Sequence, residues 1–195
     1  MAKTTLFLLI LALTAAAAPT VGRESYPLPG SYEFYWDDGI MTRGWAWNTG
    51  GNYWGVQFDE EKTSGKPGWL EAFFIRSPSR FPYSGCYFNV FDDQGGRPGT
   101  NVLRVFYDSY GYWQELVPGI YLDSGVFFCA MEQVGESYRA DQIGTDAVAG
   151  THNWTGYRGS WAPTALYGDF IIRVRWRPDN QSVTDTTWGQ VKNLY

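Results

Sequence analysis

Short runs of Val, Ile, Phe, Tyr and Trp recur along the chain, each cut by Gly, Pro or Asp before it reaches helical length. Over 53–59 the apolar side chains Trp54, Val56 and Phe58 fall on one face, the alternation of a half-buried strand. Over 170–176 Phe170, Ile172, Val174 and Trp176 alternate with Ile171, Arg173 and Arg175, so the arginines should meet water or a carboxylate. The run 126–133 is almost continuously apolar, as a central strand would be. Further strands are predicted over 31–36, 43–48, 69–76, 86–91, 102–108 and 113–117. Turns are expected at Asp37-Asp38-Gly39, Gly50-Gly51, Ser77-Pro78 and Asp92 to Gly96. No amphipathic helix is predicted.

Eight or more short strands without a long linker predict one all-β domain, an antiparallel two-sheet β-sandwich of jelly-roll type over 31–177. A closed barrel is the alternative. Residues 18–30 read as a linker and 178–195 as a C-terminal tail, frayed or an edge strand.

The first residues change the setting. Lys3, an apolar run over 7–13 and the small residues Ala15 to Ala18 form a secretory signal peptide, with cleavage expected after Ala17. The run is shorter than the roughly 20 apolar residues a bilayer span needs, and no later segment supplies one. The chain is therefore expected to be secreted, extracellular or on the cell surface.

Charge narrows the partners. The formal net charge is −5, and loss of Lys3 makes it one unit more negative. An acidic chain without clustered Lys and Arg is unsuited to nucleic acid or to anionic membrane surfaces.

Export also makes a disulfide permissible between the two cysteines, Cys86 and Cys129. It would close a loop of roughly 43 residues, worth about 3–4 kcal/mol in the chain-entropy model. Both lie in predicted strands, so the bridge requires those strands to be neighbours or to face each other; two buried thiols are the other reading.

Catalytic signatures are sparse. The single histidine, His152, sits in a predicted polar loop, and no serine has a nucleophile-elbow context. The pairs Asp37-Asp38, Glu60-Glu61 and Asp92-Asp93 fall at predicted turns, where Asp bonds the local backbone. A non-enzymatic role is expected, with a glycoside-active enzyme third in order because carboxylates could still converge from distant strands. The one cofactor the residues suggest is a structural calcium held by Asp92, Asp93 and Asp141, or Asp146 in its place.

The stretch Cys86-Tyr-Phe-Asn-Val-Phe-Asp-Asp-Gln-Gly-Gly-Arg-Pro-Gly-Thr100 resembles a recurrent segment of β-sandwich modules in secreted bacterial surface proteins. Trp113, Gly125-Val-Phe-Phe, Asp141 and Gly168-Asp-Phe-Ile-Ile-Arg173 follow in matching order, so the likeness covers about residues 40–176. It implies a jelly-roll or immunoglobulin-like sandwich of the non-catalytic appendage type. In this chain the module stands without an enzyme domain.

Aromatic residues make up 18% of the chain, more than a core requires. Trp47 lies at the end of a predicted strand just before Gly50-Gly51, and Tyr110, Trp154 and Tyr157 lie in predicted loops, beside Asn, Thr and Gly. Sugar rings stack their C–H faces on such aromatics while polar neighbours bind the hydroxyls. Polysaccharide or another cell-surface component is thus the expected partner, and Trp154→Ala is expected to fold normally and lose binding. Trp45, Trp113 and Trp161 are assigned to structure. The competing class is a structural or adhesive protein that self-assembles through exposed strand edges; the oligomeric state is not readable from the residues.

Overall fold

The computed structural model describes residues 20–21 (backbone only), 29–78, 84–108, 112–136, 140–148, 150–164 and 168–179. The predicted leader, Tyr110 and nearly all of the predicted tail lie outside these. The described chain is all-β, an antiparallel sandwich as the alternation predicts. One sheet contains β1 (Thr20–Val21), β2 (Tyr32–Phe34), β5 (Gly68–Arg76), β8 (Trp113–Val117), β9 (Ile120–Leu122) and β14 (Ile172–Pro178). Its order is β1-β8-β5-β14-β2, with β8 and β9 end to end along one edge of β5. The other sheet runs β13 (Ser160–Pro163), β12 (Asn153–Tyr157), β4 (Asn52–Phe58), β10 (Phe127–Gln133), β6 (Cys86–Asp93), β7 (Pro98–Tyr107). A ribbon of β3 (Arg43–Trp45) and β11 (Ile143–Thr145) completes the set, with one short helix, α1 (Glu60–Thr63). Both large sheets have distinct end strands, so they form a sandwich and not a closed barrel.

Alternation builds the core. Trp54, Val56 and Phe58 of β4 meet Phe73 and Ile75 of β5 and Ile172, Val174 and Trp176 of β14, all essentially inaccessible. The sheets interlock through rings: Phe73 lies 4.7 Å from Phe88, and Phe127 5.0 Å from Trp176. Strand β10 is buried along its whole length because it is covered on both sides. Its inward residues join the main core, while Phe128 and Ala130 lie beneath a second cluster on the outer face with Phe91 and Trp154. Of the two arginines expected to meet water or a carboxylate, Arg173 takes a carboxylate and Arg175 places its guanidinium 5.4 Å from the centroid of the Phe74 ring; Arg177, further along β14, takes a second carboxylate. Arg173 forks onto Asp37 at 2.5 and 3.1 Å, and Arg177 reaches Glu71 at 2.6 Å.

Several expectations are corrected. Cys86 and Cys129 do lie on adjacent strands, but Cys129 stands opposite Val90 and Cys86 opposite Gln133. Four residues of extended chain separate them, about 13 Å, and a bridge needs Cα atoms within about 7 Å. Both are buried free thiols, and burial pushes each thiol's pKa well up. Thr20–Val21, expected in a linker, pair with Val117 and Leu116. Glu60-Glu61 open a helical turn capped by Asp59, whose carboxylate accepts from Glu61 N at 3.0 Å. The stretch 153–158, expected as a loop, is a hairpin arm: β12 and β13 join through Arg158-Gly159, both at positive φ (49° and 81°). That is the two-residue turn whose backbone twist suits a hairpin. Among the described residues no helix is long and apolar enough to cross a membrane.

Candidate functional site

The β12–β13 hairpin forms the floor of a groove of about 550 Å³ at the edge of the second sheet. Strand register sets which side chains share it. Tyr157 stands opposite Asn52 and Ser160, and Thr155 opposite Trp54 and Ala162. Directly opposed residues point to the same face, so Asn52, Thr155, Tyr157, Ser160 and Ala162 lie on the face that Trp54 turns inward. Trp47 and Thr49, from the loop between β3 and β4, wall the groove, and Gly156 and Trp161 complete its lining. Trp47 stacks on Trp54 at 5.2 Å, which ties the wall to the core. Tyr157 is 42% exposed and offers its ring to solvent.

The wall is held from below. Gln133, fully buried at the end of β10, accepts from Trp47 N through Oε1 and donates through Nε2 to Trp47 O, both at 2.7 Å. Nε2 also reaches the carbonyls of Gly135 at 2.8 Å and Thr49 at 3.3 Å. The primary amide thus acts as a surrogate strand, satisfying buried backbone groups that would otherwise be costly. Asn52 is 8% exposed and donates to Thr49 O at 2.7 Å, bracing the same loop. On the far face of the hairpin Trp161 covers Gly156 so closely that a Cβ there would lie 2.7 Å from the ring.

Of the four aromatics singled out from sequence, the structure brings two together, Trp47 and Tyr157. Tyr110 lies outside the described residues. Trp154 does not occupy a loop. It sits in β12 between Gly55 and Pro163, is 8% exposed, and packs edge-on to Phe128 at 5.6 Å. Replacing it would open the outer cluster, so a clean Trp154→Ala phenotype is not expected. Asn52, Thr155, Ser160 and Gln133 carry no such signal in the sequence, and Trp161, assigned there to structure, also lines the groove. The hairpin that gathers most of them turns on Arg-Gly instead of Asn-Gly or Asp-Gly, so the usual short-range signal is absent.

The acidic residues mostly hold backbone. Asp92 accepts from Thr100 N and Asp93 from Gly96 N at 3.0 Å, closing the β6–β7 hairpin. Asp141 is buried and acts electrostatically on Cys86, which begins β6, whereas Asp93 ends it. The two places are about 20 Å apart along the strand, so Asp92, Asp93 and Asp141 do not share a site. Among the described residues no group of three or more His, Cys, Asp or Glu is placed to hold a metal ion.

A second acidic group is tighter. Asp146 accepts from Asp38 N at 3.1 Å, and from Val148 N and Asp169 N at 2.9 Å each. Asp169 is 7% exposed, and its Oδ1 has no hydrogen-bond partner. Burial, and then the nearby Asp146, Asp37 and Asp38, raise its pKa to about 6. Asp37 is committed to Arg173 and to Gly39 N. None of these four carboxylates lines the groove, so they bear on stability and not on its chemistry.

His152 also has a structural place. Its ring stacks on Trp36 at 3.5 Å, its Nε2 lies 3.4 Å from Asp59, and Lys62 sits over the Trp36 ring at 4.0 Å. No serine hydroxyl among the described contacts of His152 supplies a nucleophile; its Nδ1 meets Thr151.

The groove therefore offers aromatic surface, hydroxyls and an amide on a rigid hairpin, without an acid–base pair. No protein-family model, curated protein or solved structure matches the chain.

Proposed function

We propose that this protein is a secreted, non-catalytic carbohydrate-binding module, and that its ligand lies in the groove between Trp47 and Tyr157. The observation that carries this reading is the common groove of these two aromatics with Asn52, Thr155 and Ser160. A sugar ring buries its C–H face against an aromatic ring and hydrogen-bonds outward to small polar side chains. The groove is shallow and its wall is anchored to the core, which suits binding without closure. A glycan-array screen with the purified protein tests the reading, followed by titration of any hit against intrinsic tryptophan fluorescence. A hit whose binding shifts emission, with the shift lost in Tyr157→Ala, supports it; no glycan bound across the array contradicts it.

A second reading, self-assembly, has one observation of its own. Strand β7 is the end strand of its sheet, ten residues long, with Val102 44% and Phe106 46% exposed. An exposed strand edge with apolar side chains can add a further strand. Sedimentation velocity over a hundredfold concentration range separates the readings: a concentration-independent monomer removes this one.

A further inference from the structure

The groove has a property that its aromatic composition does not require. Among the described residues no Asp, Glu, Lys, Arg or His lines it. Three other cavities of the described chain differ in this respect. One is lined by Asp92, Asp93 and Asp123, another by Asp59, Glu60, Glu61 and Asp93, and a third by Lys62 and Lys66. The neutral lining therefore stands out on a chain rich enough in charge to put it elsewhere.

From this we infer that the groove takes uncharged glycans and discriminates against both acidic and amino sugars. The inference rests on the carbohydrate reading above and adds the ligand's chemical class. A uronate or sulfate entering the groove would lose hydration and meet no cationic side chain among the described lining residues, Arg158 standing beside the Tyr157 ring but outside the lining, and an ammonium would meet no carboxylate there. Desolvation without a partner is costly for any ion. The chain's negative net charge adds a longer-range penalty for acidic polymers. The hydroxyls of a neutral sugar suit what is present: the Thr155 and Ser160 hydroxyls exchange hydrogen bonds of either sense and Tyr157 supplies a ring face, while the Asn52 amide nitrogen stays on the Thr49 loop. Arg158 follows Tyr157 and places its guanidinium 5.0 Å from that ring's centroid, but it is not part of the lining.

Affinity electrophoresis tests this with soluble polysaccharides cast into the gel. The neutral set is xyloglucan, galactomannan and mixed-linkage β-glucan; the charged set is polygalacturonate, alginate, chondroitin sulfate and chitosan. The native protein should be retarded by at least one neutral polymer and by no acidic one, and any retardation by chitosan, which the chain's negative charge attracts, should persist in Tyr157→Ala. That retardation should change less than twofold between 20 and 500 mM NaCl, because no charge pair is screened. Arg158→Ala should leave it unchanged. Ser160→Lys puts a cation at an exposed lining position and should create retardation by polygalacturonate or alginate that salt abolishes. Retardation of the native protein by an acidic polymer, lost in Arg158→Ala or in 500 mM NaCl, would overturn the inference while leaving the carbohydrate reading intact. Retardation by chitosan alone, lost in Tyr157→Ala, would overturn it likewise. Free migration in every gel would remove the carbohydrate reading and this inference with it.

Discussion

Gln133 and Trp47 are joined by two hydrogen bonds of 2.7 Å, one in each direction between a side-chain amide and a backbone peptide unit. The loop bearing one wall of the groove is thereby fixed to the central strand of its sheet. Gln133→Met, similar in volume, removes these bonds and leaves the Trp47 N–H without its acceptor. A loss of about 2–4 kcal/mol is expected, from one amide that serves four backbone groups. Urea denaturation measures it, and an unchanged midpoint would show that water replaces the amide without cost.

Gly156 makes room for Trp161. A Cβ at 156 would stand 2.7–3.0 Å from three atoms of the indole, and Gly55 leaves similar clearance at 3.3 Å. Gly156→Ala should displace the ring and destabilise by about 1–3 kcal/mol through overpacking. Gly159→Ala, in the open turn where a Cβ meets nothing within 4 Å, separates steric from backbone effects, because its φ of 81° confines the cost to the turn. Near-ultraviolet circular dichroism should change for the first variant and not for the second.

The two thiols should behave as buried hydrophobes. Cys86 and Cys129 are inaccessible and unbonded to each other, and burial holds both as neutral thiols. Ellman's reagent should find no fast-reacting thiol in the native protein at pH 8 and two per chain in denaturant. Dithiothreitol should leave the melting temperature unmoved. A reductant-sensitive transition would mean that a bridge exists.

Asp169 gives the stability a direction with pH. Its folded pKa of about 6 lies above the ordinary carboxylate value of 3.8, so the native state binds this proton more tightly than the unfolded chain. Between about pH 4 and pH 6 the native state therefore holds the extra proton, and stability falls as pH rises through that window. Above it both states are ionised and the cost is fully expressed. Asp169→Asn removes the charge and should stabilise by about 1–3 kcal/mol at pH 7.5 and by less at pH 4.5. Equal effects at the two pH values, by chemical denaturation, would show that the raised value is not carried by this residue.

Much of the fold was legible because alternation survives in the residues. The runs at 53–59 and 170–176 declare their buried faces, and the apolar continuity of 126–133 marks the strand covered on both sides. Two of the three acidic pairs were legible as turn formers: Asp92 and Asp93 bond the hairpin they begin, and Asp37 and Asp38 bond Gly39 N and Ile40 N. The disulfide was not decidable, because adjacency of two strands leaves their register open, and four residues of offset suffice to forbid a bridge. The groove was half legible. Trp47 and Tyr157 stood out by composition, but Trp154 looked like their equal because an outward-facing strand residue next to Thr and Gly resembles a loop. Only the second cluster, with Phe128 and Phe91 beneath it, explains why its ring is buried. Gln133 was hidden for a different reason: three of its four bonds go to backbone groups 84–86 positions away, which no local pattern encodes.

The central claim is that the groove between Trp47 and Tyr157 binds sugar. Tyr157 is the residue to change, being exposed and outside both buried clusters, so its replacement should spare the fold. Isothermal titration of the native protein and of Tyr157→Ala with the best-bound oligosaccharide, after matching their melting temperatures, is the most direct measurement. The expected result is saturable binding by the native protein and at least a tenfold loss in the variant. Equal affinities in the two would contradict the claim.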